Sequence, residues 1–307
     1  MNRNNDAEVV CFGMIAPAVV LRVDDFPAHN TGALIRDAVE FISDDAAIVA
    51  GVLRGWNVRS GLIGTTLGDD ERGRRAARRL KELGVLGKIR FSKKIATPYE
   101  VNVSDRTGAR TYFWQRDPRV LATLDTAPLD LLNRAKMLYV DWYDDIHILR
   151  AMRAARKRGI PVFLNFEHGH ANPDLLARYA PFTTICQATT DDAQHGRDAR
   201  TVARKLLDAV ISTALVTLAG DGCLAATRDQ TIRVRAPRVE IVDGCGAGAT
   251  FSAGFLYGFL RGWNLESSTR FAIAAASLKV SVMGPRAFPR ARIKRFANEI
   301  RIDTIAL

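Results

Sequence analysis

The sequence contains few cysteines, and they lie far apart. Four occur among 307 residues, at positions 11, 186, 223 and 245. None belongs to a CxxC pair and no histidine lies at a metal-ligand spacing from them, which argues against a disulfide framework or a zinc site. We expect four reduced thiols.

Long apolar runs are missing as well. No stretch reaches the 18 apolar residues typical of a membrane span, and the first ten residues, MNRNNDAEVV, lack the apolar core of a secretory signal. We therefore expect no membrane span and a cytoplasmic location.

Negative charge is in deficit, because 44 Lys and Arg face 33 Asp and Glu, for a formal net charge of +11. Such a charge permits association with phosphates or nucleic acid without identifying a partner. Six of the basic residues lie in ERGRRAARRLKEL at 71–83. That segment lacks aromatic stacking residues, and its spacing fits a solvated helix face, so we favour a solvated face over nucleic-acid contact.

Apolar residues make up 48% of the chain, which is enough for a large core. They form short runs that alternate with helical patterns, the signature of βαβ crossovers and of a mainly parallel sheet covered on both faces. The predicted strands are 9–15, 58–68, 137–143, 160–167, 183–188 and 212–220. The predicted helices are 45–55, 70–83, 145–158 and one that ends near Leu207.

Two segments, 16–42 and 90–116, break this rhythm. Their period-2 alternation and turn residues predict antiparallel strands that form one small sheet, a lid over the carboxyl edge of the main sheet. The exposed edges of such a lid favour pairing with a second copy, so we expect a homodimer through the lid. Tyr112, Phe113 and Trp114 could cover a substrate there or pack in the dimer, and the sequence leaves both open.

The segment VDGCGAGATFSAGFLYG at 242–258 carries the clearest functional signal. Four small residues, GAGA at 246–249, precede an apolar, small-rich run that is typical of a buried helix. The backbone N–H groups of such a loop point outward from a helix N-terminus and form an anion site. A tight strand-to-helix turn that needs small residues only for packing is the alternative, and the context favours the anion site.

With this loop, the sequence resembles the PfkB, or ribokinase-like, family of carbohydrate and nucleoside kinases. The resemblance runs from about Val9 to Ala297, within one predicted domain at 9–300. The matching residues of the strongest motif are Asp243, Gly246, Ala247, Gly248, Phe251, Ala253 and Gly254. Weaker matches follow the family order: IGTTLGDDERG at 63–73, VTLAGDGCLA at 216–225 and AAASLKVSVMGPRAFP at 274–289.

The resemblance implies a three-layer α/β/α fold and transfer of the γ-phosphate of ATP, with Mg²⁺, to a hydroxyl of a sugar or nucleoside-like substrate. It implies that the amides of Gly246, Ala247 and Gly248 stabilise negative charge. It places a nucleotide at Asp243, Thr217, Gly220, Gly222 and Thr189, and a metal at Asp192. Asp243 could instead be a turn or capping residue, and Asp192 a helix cap.

Several positions depart from the family pattern. Ala249 occupies the place of the Asp that serves as catalytic base, and loss of a general base costs about 10²- to 10⁴-fold in rate. Ala18 stands where the family has an Asp that binds sugar hydroxyls. The NxxE pattern of the family aligns here with Thr189 in place of Asn and Asp192 in place of Glu. Three further departures remain. Ser43 and Asp44 stand where the family has a pair of glycines, Ile48 stands where it has an Asn, and Ala219 stands where it has a glycine.

These departures leave two readings of the function. One is a kinase of the PfkB type that Ala249 impairs. The other is a catalytically silent relative that binds a nucleotide or sugar as a regulator or scaffold. Glu167, His168 and His170 follow a predicted strand, but without a third ligand we favour structural or surface histidines over a metal site.

Overall fold

The computed structural model describes residues 6–190 and 198–305. Its strands, in chain order, are β1 Val9–Gly13, β2 Ala16–Arg22, β3 Asp37–Ser43, β4 Ser60–Gly64, β5 Leu67–Gly68, β6 Phe91–Ser92, β7 Tyr99–Ser104, β8 Arg110–Gln115, β9 Met137–Asp141, β10 Val162–Glu167, β11 Ile185–Thr189, β12 Thr213–Thr217, β13 Cys223–Ala226, β14 Thr231–Val234 and β15 Ile302–Thr304. Its α-helices are α1 Asp45–Gly55, α2 Glu71–Glu82, α3 Pro118–Ala122, α4 Leu149–Lys157, α5 Pro173–Tyr179, α6 Ala199–Asp208, α7 Ala247–Leu260, α8 Leu265–Val280 and α9 Arg290–Asn298.

The main sheet has nine strands in the order β15-β14-β13-β12-β11-β10-β9-β1-β4. The six strands from β12 to β4 run parallel, and β13 to β15 add an antiparallel edge. All five residues of β1, β4 and β9 are buried, as expected for parallel strands covered on both faces. Two apolar cores, one on each face, make the three layers that the sequence predicted.

A smaller sheet of four strands, in the order β3-β2-β7-β8, comes from the two segments predicted to form a lid. We call it the lid sheet. It is not wholly antiparallel as expected, because β2 and β7 pair in parallel. These two strands come from different segments, and the chain passes through α1, β4 and α2 between them, which brings β7 back in the direction of β2.

Helices α7 and α8 pack closely because two glycines of α7 allow it. A Cβ on Gly254 would lie 2.7 Å from Ala272 Cα, and one on Gly258 would lie 2.9 Å from Ser268 Cα. Helix α8 begins at the cap residue Asn264, whose side chain accepts from Ser267 N at 2.9 Å. This packing holds the second half of α7 against α8, and the predicted anion loop lies at the other end of α7.

Helix α2 carries the basic run at 71–83. Gly73, Ala76 and Leu80 are its buried residues, and its arginines lie on the outer face. Four of them form ion pairs with carboxylates: Arg74 with Asp69, Arg75 with Glu40, Arg78 with Glu71 and Arg79 with Glu82. None of the helices in the described part of the chain combines the length and apolar character that a bilayer crossing requires.

Candidate active site

A cavity of about 980 Å³ lies between the lid sheet and the carboxyl edge of the main sheet. Four parallel strands contribute their last residues to it, namely Asp141, Glu167, Thr189 and Thr217. Open α/β sheets bind ligands at this edge. A second cavity of about 590 Å³, which Tyr257, Arg290 and Lys294 help to line, receives no strand end and is not the candidate site.

The predicted anion loop opens into this cavity. We call residues 244–248, all of which line the cavity, the phosphate loop. Gly246 has φ +73°, and a Cβ there would lie 2.9 Å from Pro285 Cγ, so the turn requires glycine. Ala247 N donates to Gly244 O at 3.2 Å, so the structure pairs within the loop an amide that the sequence predicted to bind the anion. Gly248 N lies in the first turn of α7, where no intrahelical acceptor exists, so it remains available to an anion.

Asp243 lies behind the phosphate loop and not in the cavity. Its side chain is 0% exposed; Oδ1 accepts from Cys245 N at 2.8 Å, and Oδ2 accepts from Gly284 N at 2.9 Å. Lys279 Nζ donates to the same Oδ2 at 2.8 Å. Burial lowers the pKa of Lys279, and Asp243 opposes that shift. Asp243 therefore positions the loop, which differs from the direct nucleotide contact that the sequence predicted.

The other predicted nucleotide residues do meet at the cavity. Thr189 and Thr217 are cross-strand partners, and Thr189 Oγ1 donates to Thr217 O at 3.4 Å. Gly220 and Gly222 form the turn that follows, and a Cβ on Gly220 would meet nothing within 4 Å. A Cβ on Gly222 would lie 2.0 Å from Val234 O, so that position requires glycine for packing.

Ala219, which replaces a family glycine, adopts the backbone of a glycine, with φ +45°. Beyond it, Ala276, Ser277 and Val280 of α8 close the wall of what we call the nucleotide half. Open space at Gly220 and the unpaired amide of Gly248 at the start of α7 fit a nucleoside triphosphate. The predicted metal residue Asp192 lies outside the described residues. Among those described, no three His, Cys, Asp or Glu side chains are arranged to hold a metal ion.

The remaining part of the cavity, which we call the acceptor half, is rich in carboxylates. Its floor is held by Asn165, whose Nδ2 donates to Asp45 Oδ2 at 2.9 Å and to Asp141 Oδ2 at 2.8 Å. Burial, then the charges of Glu167 and Asp44, raises the pKa of Asp45 to about 8. Burial and the charge of Asp45 also raise the pKa of Asp141 well above its usual range.

The lid sheet forms the roof of the acceptor half, with Glu100 and Asn102 of β7 facing inward. Glu100 pairs in register with Ala18, so the two side chains project from the same face of neighbouring strands. Ala18 is buried and lacks the family carboxylate, and Glu100 supplies one on the adjacent strand. Arg116 Nη2 lies 3.0 Å from Glu100 Oε1, and Ser43 Oγ donates to Glu100 Oε2.

A second lid arginine reaches the phosphate loop. Arg110 Nη1 donates to Gly244 O at 3.0 Å. Burial lowers the pKa of Arg110, but the nearby acidic groups, Glu167 among them, outweigh that effect and raise it. Arg110 therefore brings a permanent positive charge to the junction of the two halves.

Asp44 occupies one of the two positions where the family has glycine, and its backbone is that of a glycine, with φ 67° and ψ 140°. Its side chain lies 3.4 Å from Arg116 Nη2. Burial raises the pKa of Asp44 to about 7, with Arg116 opposing and Glu100 reinforcing the shift. The chain thus adds a carboxyl group at a position where its backbone is strained.

The alanine at position 249 is completely buried in the first turn of α7 and does not line the cavity.

The three aromatic residues of the lid lie on two faces. Tyr112 and Trp114 line the acceptor half, with stacked rings 6.1 Å apart, whereas Phe113 projects from the opposite face and is 53% exposed. His170 is buried, and its Nε2 lies 3.2 Å from Thr189 O.

Sequence reasoning missed Asp45, Asp141, Asn165, Glu100 and Arg110. Asp141 and Asn165 each end or nearly end a predicted parallel strand, which was a usable signal. The alternation of β7 could have placed Glu100 and Asn102 on one face of the lid. Asp45 follows the replaced glycine pair, and nothing in its local sequence distinguishes it from a helix-start aspartate.

The model of the pfkB family of carbohydrate kinases matches residues 7–291. This chain belongs to that family. The family predicted from the motif at 242–258 is therefore confirmed over nearly the whole chain. A crystal structure of an Agrobacterium tumefaciens protein assigned as a ribokinase superposes with a TM-score of 0.84 at 21% identity, and covers 96% of this chain and 98% of that one. The predicted ribokinase-like fold is thereby confirmed.

Two curated relatives show how far the sequence similarity extends. The ATP-dependent 6-phosphofructokinase of Thermoanaerobacterium thermosaccharolyticum is 29% identical over 122 residues, which are 39% of this chain and 38% of that protein. The chain therefore aligns with little more than a third of that relative. The Arabidopsis thaliana chloroplastic protein named "probable fructokinase-6" is 26% identical over 97% of this chain and 83% of its own length.

Proposed function

We propose that this PfkB-family protein is a cytoplasmic phosphotransferase that moves the γ-phosphate of ATP to a hydroxyl of a sugar or nucleoside-like acceptor. The observation that carries the proposal is that the phosphate loop and the acceptor half open into one cavity. A hydroxyl held over Asp45 and Asn165 would then face a phosphate held at the start of α7. Phosphoryl transfer depends chiefly on such positioning and on charge stabilisation.

ATP would occupy the nucleotide half, and bound Mg²⁺ would supply positive charge to the phosphates. Gly248 N would donate to the transferred phosphoryl group, and Arg110 would add a positive charge beside the loop. Thr189, Thr217 and Gly220 would contact the nucleotide along the strand ends. Asp192 stays a proposal for the metal.

Ala249 sets the expected rate. A methyl group cannot accept the proton of the attacking hydroxyl, so transfer by this chain is expected to be about 10²- to 10⁴-fold slower than with a base at that position. The decisive experiment is Ala249→Asp, with ADP release measured against a panel of sugars and nucleosides. Ala249→Asn is the matched control, because it has nearly the same size and cannot act as a base.

We expect Ala249→Asp to raise turnover at least 100-fold above the unmodified chain and above Ala249→Asn, on the usual value of a general base. Equal turnover in all three proteins would contradict the proposed role of position 249. Absence of ATP binding by calorimetry, in the presence of Mg²⁺, would contradict the kinase proposal itself.

A second candidate function is a silent relative that binds its ligands without transfer. The observation that favours it is the loss of both family carboxylates, at Ala18 and Ala249, each in a buried position. Nucleotide binding without ADP formation, even in Ala249→Asp, would support this candidate over the first.

We also propose that the lid sheet mediates a homodimer. Its edge strand β8 exposes Phe113 on the face away from the cavity, and an open strand edge with an apolar side chain favours pairing. Light scattering of the wild-type chain and of Phe113→Glu tests this. A dimer that the substitution converts to a monomer supports the proposal, and a wild-type monomer rejects it.

A further inference from the structure

The acceptor half contains more carboxylates than the protein neutralises. Five carboxyl side chains line it, namely Asp44, Asp45, Glu100, Asp141 and Glu167, whereas the whole cavity is lined by only three guanidinium groups, those of Arg110, Arg116 and Arg238. Arg116 pairs with Glu100 and Asp44. Arg110 donates to a backbone carbonyl in the phosphate loop.

Three of these five carboxyl groups therefore have no ion-pair partner in the part of the chain that the structure describes: Asp45, Asp141 and Glu167. Asp45 and Asp141 share one neutral donor, the amide nitrogen of Asn165. Burial, then the charges of neighbouring carboxylates, raises the pKa of both groups: Glu167 and Asp44 act on Asp45, and Asp45 and Glu167 act on Asp141. A positive charge placed among them would relieve that repulsion.

The roof supplies an independent sign of a ligand. Asn102 is 0% exposed, and neither its Nδ2 nor its Oδ1 has a hydrogen-bond partner among the described residues. It lines the same cavity, opposite the carboxylate floor. A buried amide without partners is costly unless a bound group satisfies it. Asn165 Oδ1 is a second buried, unpartnered acceptor, on the floor.

We infer that the acceptor is an amine-bearing polyol, such as an amino sugar or an aminocyclitol, with its ammonium group held by Asp45, Asp141 and Glu167. This inference rests on the proposed kinase function, because it names the substrate class of the same cavity. Asn102 would bind a hydroxyl of the ligand at the roof.

An ammonium group suits this floor better than a hydroxyl does. It offers three donors and a full positive charge, whereas a hydroxyl offers one donor and no charge. Tyr112, Trp114 and Tyr143 also line the acceptor half and present aromatic rings to it. Such rings favour a nearby cation by the cation–π interaction.

The test compares matched ligands. Hexoses with an amino group at carbon 2, 3 or 6, and streptamine, are titrated by calorimetry at pH 8 beside their hydroxyl parents and N-acetyl derivatives. For at least one amine we expect about 10- to 100-fold tighter binding than for its hydroxyl parent, the usual worth of a charged hydrogen bond. N-acetylation is expected to abolish the difference, because it removes the charge.

Two isosteric variants assign the effect to the floor. Asp45→Asn and Glu167→Gln are expected to remove the preference for the amine while ATP affinity stays within about twofold of wild type. Glu82→Gln, on the outer face of α2, is the matched control and should keep the preference. A preference that survives both floor variants would overturn the assignment of the ammonium site.

Proton release gives a readout that a structural role would not change. The carboxyl groups that face the site are those of the floor and of Asp44 and Glu100, with the buried Asp144 acting on Asp141 from behind, and Arg110, Arg116 and Arg238 are the cations that line the cavity. An ammonium ion that binds at pH 7 should displace a proton from this group, so the binding enthalpy should vary with the ionisation enthalpy of the buffer. A neutral sugar should show no such dependence.

The outcomes separate this inference from the proposed function. If ATP binds but no amine binds more tightly than its hydroxyl parent, the inference is wrong and the kinase proposal stands. If ATP does not bind, the kinase proposal fails, and an amine preference then describes only a binding site. Equal binding of amine and N-acetyl derivative also overturns the inference.

Discussion

Lys279 Nζ lies 2.8 Å from Asp243 Oδ2, and both side chains are completely buried. Lys279 belongs to α8, and Asp243 precedes the phosphate loop. The same lysine also donates to the backbone oxygen of Asp243 at 2.6 Å. The pair therefore ties the end of α8 to the loop that is proposed to hold the phosphates.

Removal of one member of this pair should be severe. Lys279→Met leaves the Asp243 carboxylate buried without its cation, and we expect a loss of about 3–5 kcal/mol in the free energy of unfolding. Urea denaturation at pH 7 measures it. Lys81→Met, on the exposed face of α2, is the control and should change stability by less than about 0.5 kcal/mol. A loss of similar size in both variants would show that the buried pair contributes no more to the free energy of unfolding than an exposed lysine does.

Asp45 should make stability depend on pH. Its folded pKa of about 8 lies above the usual 3.8, so the folded state binds the proton more tightly than the unfolded state does. The resulting cost is absent below about pH 4 and grows as pH rises to about 8. Asp45→Asn removes the charge and should stabilise the fold at pH 8 by about 1–3 kcal/mol, and by less at pH 5.

Thermal unfolding of Asp45→Asn and wild type across pH 4 to 9 measures this trend. Asp208→Asn, at the exposed end of α6, should leave the pH profile unchanged. A difference between wild type and Asp45→Asn that stays constant from pH 5 to pH 8 would contradict a raised pKa at this site.

We expect the backbone conformation of Asp44 to lower the stability of the fold, separately from any effect of its charge. Asp44→Gly and Asp44→Asn both remove the charge, but only glycine adopts φ 67° and ψ 140° freely. We therefore expect the glycine variant to be about 1 kcal/mol more stable than the asparagine variant. Chemical denaturation of the two measures the difference, and equal stability would argue against strain at this position.

Ala219 should show the same effect in the nucleotide half. Its φ of +45° favours glycine, so Ala219→Gly should gain about 0.5–1 kcal/mol of stability. Gly220→Ala, next to it, places a methyl group in open space and tests whether that space belongs to the nucleotide. We expect Gly220→Ala to weaken ATP binding measurably, whereas Ala219→Gly should not weaken it.

Arg110 should couple the lid to the phosphate loop. Arg110→Met removes the hydrogen bond to Gly244 O, and we expect about tenfold weaker ATP binding, because a charged donor is lost beside the loop. Arg106→Met is the control in the same lid, where Arg106 pairs with Asp25 at 2.9 Å on the surface. Equal ATP affinities in the two variants would show that Arg110 does not contribute to ATP binding.

Much of the fold could be predicted from the sequence, because the periodicity of apolar residues can be read without knowledge of the tertiary structure. Alternating short apolar runs and helical patterns predicted the parallel sheet, and period-2 alternation located both lid segments. The small residues at 246–249 predicted a tight loop at a helix start, which the structure has. The helix predicted at 145–158 begins only at Leu149, because Asp145 adopts φ 50° and interrupts it.

The composition of the acceptor half could not be predicted in the same way. Asp45 and Asn165 are 120 residues apart, and only the packing of α1 on the ordered strands brings Asn165 Nδ2 to 2.9 Å from Asp45 Oδ2. The position of Asp243 depends on Lys279, 36 residues later. A lone lysine within the apolar run AAASLKVSVM was a usable signal for a buried ion pair, since buried lysines are almost always paired.

The lid sheet pairs β2 with β7, two strands that the ribosome synthesises at well-separated times. β2 ends at Arg22 and β7 begins at Tyr99, so their parallel pairing must wait until about a third of the polypeptide has left the ribosome. Roof and floor of the acceptor half are both complete by Glu167, whereas the phosphate loop follows about 80 residues later. Every residue of the chamber proposed for the small molecule is therefore synthesised before the first residue of the loop proposed to bind phosphate.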